Sequence, residues 1–467
     1  MRVLFVSSEV YPFSKTGGLG DVAGSLPPAL AGLGHEVLVV TPWYATLKGG
    51  APLWIGDIEI PFAAGTERVG VGTLERDGVR YAFVGHESFR RERLYGYPDD
   101  IRRFALFSRS VPQVAARLGF RPHVVHANDW HSAYLPIILQ RGWHLPDGFP
   151  FLPSVITVHN AQYQGESDLG EVLHWLRLPD ELRGSYLNHF GRANALQGGL
   201  GFADAITTVS PTYAQELMTP EAGFGLDGTF RHLQGKLTGI LNGLDTGLWD
   251  PANDPHIPQP YSAQDPSGKR TAKRQLTERF GLAGERPLMA VVSRLVEQKG
   301  IDIFCAAARS LVEGGWSLLV LGSGDRELEE WVAGLARDEE QIAAHIGYDE
   351  TLAHLVYAAA DAVAIPSRFE PCGLTQMIGM RYGALPIARQ VGGLRDTIRH
   401  GETGFLFCAM SASALLWAAG QALERWHGDE WNEMMGRAMR QDFSWERSAG
   451  RYLEVYAGAL HGDGDSA

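Results

Sequence analysis

The chain has 467 residues, 45% hydrophobic and 20% charged, with 41 basic against 54 acidic side chains and a formal charge of −13. That length is too great for one hydrophobic core, so two domains or more are expected. The acidic balance speaks against nucleic acid or an anionic membrane surface as the main partner and leaves a neutral polymer open as substrate.

Met1-Arg2 leads directly into a predicted strand, Val3-Leu4-Phe5-Val6, so no signal peptide or transit-like segment is expected. Next comes Ser14-Lys15-Thr16-Gly17-Gly18-Leu19-Gly20-Asp21-Val22, and then a predicted helix. A lysine, two adjacent glycines and an aspartate thus mark a strand-to-helix crossing, the carboxyl edge where an open α/β sheet binds ligands. Adjacent glycines let the backbone approach a ligand closely, the helix end offers free N–H groups to an anion, and Lys15 adds a positive charge. A phosphate-bearing ligand fits. The plainer reading is ordinary α/β punctuation. Gly18-Leu19-Gly20-Asp21-Val22-Ala23 matches G-x-G-x-x-A, but the glycines stand well past the strand, and the second strand ends in Thr41-Pro42 without an acidic residue for a ribose. No G-K-[ST] follows, so the stretch is not a P-loop either.

Further strands are predicted at 37–40, 81–84, 124–126, 155–158 and 205–209, with helices at about 101–119 and 131–141; Phe104, Phe107 and Val111 in the first of these read as core. A break at Leu241-Asn242-Gly243-Leu244-Asp245 is followed by a Pro-, Asn- and Asp-rich stretch, 249–266, that reads as a linker. The alternation then restarts, with strands at 288–292, 318–321, 342–346, 362–365 and 385–388 and helices near 300–313, 325–337 and 350–360. Two such series indicate two doubly wound α/β domains, 1–242 and 243–442. A closing helix follows with Ser444 as candidate N-cap, and the small, polar residues 462–467 are expected to be disordered. No apolar run reaches membrane-spanning length. The three cysteines, Cys305, Cys372 and Cys408, include no C-x-x-C pair, which suits a reducing compartment and a cytoplasmic protein.

Polar clusters fall at the carboxyl ends of predicted strands: 126–131 and 157–163 in the first half, 293–300, 322–325 and 366–375 in the second. Clusters on the same edge of two domains imply a cleft. Arg294 and Lys299 form a cation pair able to neutralise a diphosphate without a metal, or else a surface salt-bridge pair. Glu370 precedes Pro371-Cys372-Gly373-Leu374-Thr375, where a helix start can bind phosphate oxygens. Glu370 itself can accept sugar hydroxyls, or simply complement the helix dipole. His126, Asp129 and His131 have metal-ligand character, but no second group at metal spacing supports them. No G-x-S-x-G occurs, and Cys372 reads more readily as packed than as a nucleophile.

Taken together, Lys15-Thr16-Gly17-Gly18-Leu19, Asp129-Trp130-His131, His159-Asn160, Asn242-Gly243-Leu244-Asp245, Ser293-Arg294 with Lys299-Gly300, and Glu370-Pro371-Cys372-Gly373-Leu374-Thr375-Gln376 resemble the motif set of bacterial glycogen synthases and plant starch synthases, in order and out to the Trp445 helix. The resemblance implies the GT-B fold: two Rossmann-like domains facing a cleft, with a last helix, 443–460, packing back on the first. It implies transfer of glucose from ADP-glucose to the non-reducing 4-hydroxyl of an α-1,4-glucan, with retention; because Lys15, Arg294 and Lys299 already match a diphosphate and no carboxylate cage for a divalent ion stands out, neither metal nor cofactor is expected. By that resemblance Lys15, Arg294 and Lys299 hold the diphosphate, Gly17 and Gly18 approach the donor, and His159 lies beside the donor glucose. Glu370 binds sugar, Cys372, Gly373, Leu374 and Thr375 line the donor pocket, and Asp21 and Asp129 lie on the sugar or acceptor side. Asn242 joins the substrate-binding set, and Tyr348 is the adenine-stacking candidate. Where many retaining GT-B enzymes carry a second glutamate, this chain has Ile378, as glycogen synthases of this type do, which leaves the ribose unassigned. The alternative is a related enzyme using UDP-glucose or a small acceptor. A non-catalytic glucan- or nucleotide-sugar-binding protein would be expected to lack some of Lys15, His159, Arg294, Lys299 and Glu370, and all are present.

Overall fold

The computed structural model describes residues 1–141, 144–147, 149 and 152–462. The expectation for the terminal residues therefore falls almost wholly outside the described residues. The chain divides into two compact units: one comprises Met1–Gly243 together with the last helix, the other Leu244–Ser444.

The first unit is built on a nine-stranded sheet in the order Leu237–Gly239, Ala205–Thr208, Ser154–Val158, Val124–Asn128, Arg2–Val6, Glu36–Pro42, Val79–Gly85, Gly65–Arg76, Leu53–Phe62. The first seven run parallel; apart from the half-buried edge strand Leu237–Gly239 they are short, rich in β-branched residues and mostly buried, as strands covered on both faces must be. Strand order reverses between Arg2–Val6 and Val124–Asn128, the crevice position of a doubly wound sheet. The last two strands form an antiparallel hairpin that the sequence did not announce. Leu53–Phe62 is largely exposed, so it lacks the continuous apolar run of its parallel neighbours. The helix expected at 131–141 is two, Asp129–Ser132 and Tyr134–Arg141, because Asp129 starts a turn of its own directly from the strand. Phe104, Phe107 and Val111 are core residues of the helix Asp100–Arg117.

The last helix, Trp445–His461, completes this unit. Trp445, Ala449, Tyr452 and Tyr456 enter one core cluster with Val3, Phe5, Val22 and Leu26. The Tyr456 hydroxyl meets His126 Nδ1 at 2.7 Å, and His126 Nε2 meets Thr157 Oγ1 at 2.6 Å. Ser444 precedes the helix in a bridge with Leu244, its N–H donating to the Asp442 carboxylate at 2.9 Å.

The second unit has a six-stranded, all-parallel sheet: Ile342–Ile346, Ser317–Gly322, Leu288–Val292, Ala362–Ile365, Leu385–Arg389, Phe405–Phe407. Its order reverses between Leu288–Val292 and Ala362–Ile365. The stretch 249–266 is not a free linker. Asp254 is buried, accepting from the Tyr382 hydroxyl at 2.5 Å and meeting His354 Nδ1 at 2.7 Å. Trp249 stacks on His354 at 4.1 Å, and the Tyr261 hydroxyl donates to the Tyr382 carbonyl at 2.8 Å. Turn-rich composition here marks a wrapped strap whose aromatic residues carry the packing. The Leu244 N–H donates to the Phe443 carbonyl at 2.6 Å, so the two ends of this unit are tied together.

Candidate active site

In the first unit the chain leaves the strand Arg2–Val6 through Ser7-Ser8-Glu9. Glu9 is only 3% exposed. One carboxylate oxygen accepts the N–H of Thr16 (2.5 Å) and of Gly17 (3.2 Å), and the other accepts the Thr16 hydroxyl (2.6 Å). This buried anion ties down the Lys15-to-Gly18 turn from beneath. Sequence reasoning passed over it; the signal was a lone acid in an apolar segment directly after a strand. Lys15 is exposed and its Nζ pairs with Asp21 at 2.6 Å across the first helical turn. Lys15 and Asp21 therefore act as one unit. Gly17 and Gly18 face open space: a Cβ on either would meet nothing within 4 Å.

The neighbouring strand ends bring Asn128, Asp129 and His159 together. Asp129 adopts φ 54° and accepts the His159 N–H at 2.7 Å. Burial pushes its carboxyl up to about 7, against the pull of the His159 and Asn160 N–H groups, with the Glu9 charge adding to the rise. Burial lowers His159 to about 3, so its ring is neutral near pH 7. Asn128 Nδ2 donates to the Val6 carbonyl at 3.0 Å, which leaves Asn128 Oδ1 to accept from His159 Nε2 at 2.9 Å. The network thus puts the ring proton on Nε2 and leaves Nδ1 as an acceptor. His126 and His131, the metal-like neighbours, are also held neutral by burial. Among the described residues no group of three His, Cys, Asp or Glu side chains is arranged for a metal. Asn242 is buried at the end of this unit, and its Oδ1 meets no hydrogen-bond partner among the described residues.

In the second unit, the loops after three strands interlock. The Leu295 N–H donates to Ser323 and the Asp325 N–H to Leu295, while the Arg368 N–H donates to Gln298. Lys299 Nζ meets Glu370 Oε2 at 2.6 Å, and the Ser367 hydroxyl donates to the same oxygen at 3.0 Å. Glu370 is buried and Lys299 half-buried. Arg294 is exposed, its guanidinium 3.4 Å from Gln298 Oε1. Gly392, at φ 43°, holds the acidic loop from behind: a Cβ there would collide with the Glu370 carbonyl oxygen. Cys372 is buried, and Gln376 Nε2 donates to the carbonyls of Cys372 and Gly373 at 3.0 and 2.9 Å. Leu374 and Thr375 open the helix Thr375–Arg381, with the Thr375 hydroxyl 3.4 Å from the Val292 carbonyl. Tyr348, just past the strand Ile342–Ile346, is 81% exposed. Arg294, Lys299, Glu370 and the Cys372-to-Thr375 turn therefore share the carboxyl edge at the strand reversal, with Tyr348 two strands away on that edge.

A family model described as the starch synthase catalytic domain matches residues 2–232, and one described as glycosyl transferases group 1 matches residues 286–425. The glycogen synthase of Thermus thermophilus is 45% identical over 98% of this chain and 100% of its own length. That of Deinococcus radiodurans is also 45% identical, over 98% and 100%. Among solved structures, the catalytic domain of starch synthase IV from Arabidopsis thaliana, bound to ADP and acarbose, superposes with a TM-score of 0.89 at 34% identity, covering 98% of this chain and 99% of that one. Two Rossmann-like units with these neighbours make the fold GT-B. The chain belongs to the glycogen synthase and starch synthase family and is a glucosyltransferase.

Proposed function

We propose that this enzyme transfers glucose from ADP-glucose to the non-reducing 4-hydroxyl of an α-1,4-glucan with retention at the anomeric carbon. The reading is carried by one observation: in a chain 45% identical to glycogen synthases, two cations and a buried carboxylate gather at the strand reversal of the second unit. The ADP in the starch synthase IV neighbour supports an adenine nucleotide.

On this reading Arg294 and Lys299 take the diphosphate, Lys15 is the phosphate-directed cation of the first unit, and the exposed Tyr348 ring takes the adenine. Glu370 and the turn from Cys372 to Thr375 take the glucose, and His159, Asp129, Asp21 and Asn242 are the sugar- or substrate-directed groups of the first unit. Negative charge grows on the leaving ADP, and cations already fixed in place stabilise it without reorganisation. The Lys299–Glu370 pair holds the ammonium in register, and neutral His159 offers hydrogen bonding without an added charge. The acceptor hydroxyl attacks the face from which ADP leaves. No cofactor or metal enters the reaction. The three free cysteines suit a cytoplasmic location, and among the described residues no helix is long and apolar enough to cross a membrane.

Purified protein given ADP-glucose or UDP-glucose with a maltooligosaccharide tests the reading. ADP release matched one-for-one by α-1,4 chain lengthening is expected, with ADP-glucose preferred. A β linkage, or donor hydrolysis without lengthening, would refute it, and preference for UDP-glucose would select the alternative donor.

A further inference from the structure

In the second unit, Lys299 and Glu370 come from segments that follow two paired strands, Leu288–Val292 and Ala362–Ile365. Arg368 and Asp302 join those segments. The Arg368 guanidinium grips the Asp302 carboxylate through two parallel hydrogen bonds, 2.7 and 2.9 Å long, and donates another to the Glu297 carbonyl at 2.8 Å. The Arg368 N–H meets the Gln298 carbonyl at 2.8 Å. Asp302 lies in the first turn of the helix Ile301–Glu313, three residues after Lys299, and Arg368 stands two residues before Glu370. Gly300, at φ 67°, lets the segments touch: a Cβ there would collide with the Pro366 carbonyl oxygen. Arg389, on the strand Leu385–Arg389, donates to the carbonyls of Ser367, Arg368 and Cys408. Arg368 and Asp302 are both half-buried, and the guanidinium holds the Asp302 carboxyl below the usual carboxylate range.

We propose that Arg368 and Asp302 are positioning residues for the transfer: their two-pronged bond fixes the spacing of Lys299 and Glu370, and with it that of the leaving diphosphate and the glucose. This role rests on the donor reading given under the function above. The direct Lys299–Glu370 contact is a poor ruler. A bound donor offers phosphate oxygens to the ammonium and hydroxyls to the carboxylate, so the two charges are drawn to different groups. An ammonium on a flexible four-carbon stem follows such a pull. A planar guanidinium paired with a carboxylate is directional and adds geometric specificity, so it holds the two backbones while the charges change partners. Reacting groups displaced by about 1 Å can lose on the order of 10²-fold in rate. An ordinary exposed ion pair would leave turnover alone.

The test uses Arg368→Lys, which keeps the charge and removes the fork, and Asp302→Asn, which keeps the shape and removes the carboxylate, each alone and combined with Lys299→Ala. Thermal melts set a temperature at which the variants are folded; should one single variant not fold, the other carries the same prediction. With saturating ADP-glucose and a maltooligosaccharide, kcat is expected to fall about 10–100-fold in each single variant, with the acceptor KM within about twofold. In the Lys299→Ala background the same substitutions should cost no more than about threefold, because the group they position is gone, whereas a merely structural loss would multiply. Calorimetry with ADP alone should show the same coupling: weaker binding in each single variant, and no further weakening beyond Lys299→Ala. Wild-type kcat in either single variant, or losses that multiply with that of Lys299→Ala, overturns the positioning role. Wild type that transfers glucose to no glucan refutes the proposed function instead, and the ADP measurements still decide whether the pair places Lys299.

Discussion

Arg294 and Lys299 carry the same charge on different attachments. Arg294 is exposed with one long contact to Gln298, so Arg294→Ala should lower turnover roughly 10²–10³-fold, as expected of an electrostatic stabiliser, and leave the melting temperature unchanged. Lys299→Ala should show a similar kinetic loss and also unfold more easily, by about 3 kcal/mol, because it strands the buried Glu370 carboxylate. Normal turnover in both variants would move the diphosphate elsewhere. Asp129 supplies a pH test. Its carboxyl keeps a proton up to about pH 7 in the native state and loses it near 3.8 when unfolded. The native state therefore binds more protons in that window, and this contribution to stability falls as pH rises through it. His126 and His159, lowered to about 3 from 6.5, act oppositely: their contribution is lost as pH falls from 6.5 towards 3. Asp129→Asn removes the first effect alone, and asparagine tolerates φ 54°. Denaturant melts from about pH 5 to 8 should show the variant gaining on wild type by a few kcal/mol; a flat difference would make Asp129 an ordinary carboxylate. The cations and Glu370 were legible in the sequence because charges at strand ends stand out. Their pairings were not, since Lys299 and Glu370 meet across 71 residues, and Glu9, a single acid, makes no pattern.

At the scale of elements, the strands buried on both faces were readable as apolar runs. The hairpin Leu53–Phe62 and Gly65–Arg76 was not, because its outer strand faces solvent and its Trp and Gly residues answer to a surface and not to the core. The stretch 249–266 misled for a related reason: turn residues describe its backbone, while Trp249, Asp254 and Tyr261 decide where it packs. The closing helix was expected from its sequence, and its partners are now explicit. Trp445, Tyr452 and Tyr456 bury about 1.5–3 kcal/mol each, together comparable to the stability of a whole domain. Ending the chain at Ser444 should therefore leave the first unit unfolded while the second keeps its structure. Hydrogen exchange on the truncated protein would show this as lost protection confined to residues 1–243; protection retained there would mean that the helix is an accessory.

For the whole molecule, the second unit is an insertion within the first. Its ends, Leu244 and Phe443, are hydrogen-bonded to each other, so residues 244–444 expressed alone should fold cooperatively and melt as one transition; a molten, non-cooperative fragment would show that this closure is insufficient. The same arrangement sets an order of events on the ribosome. Residues 1–243 emerge first yet lack the helix that fills their core, and at ordinary translation rates the intervening 201 residues delay it by roughly 10–40 s. The later-made unit can fold while the earlier one is still waiting, with Phe5, Val22 and Leu26 uncovered. A chain halted anywhere before Trp445 is left with that sheet face bare, a form that chaperones and proteases recognise. The position of one helix thus makes the fold itself report whether translation has run through to that point.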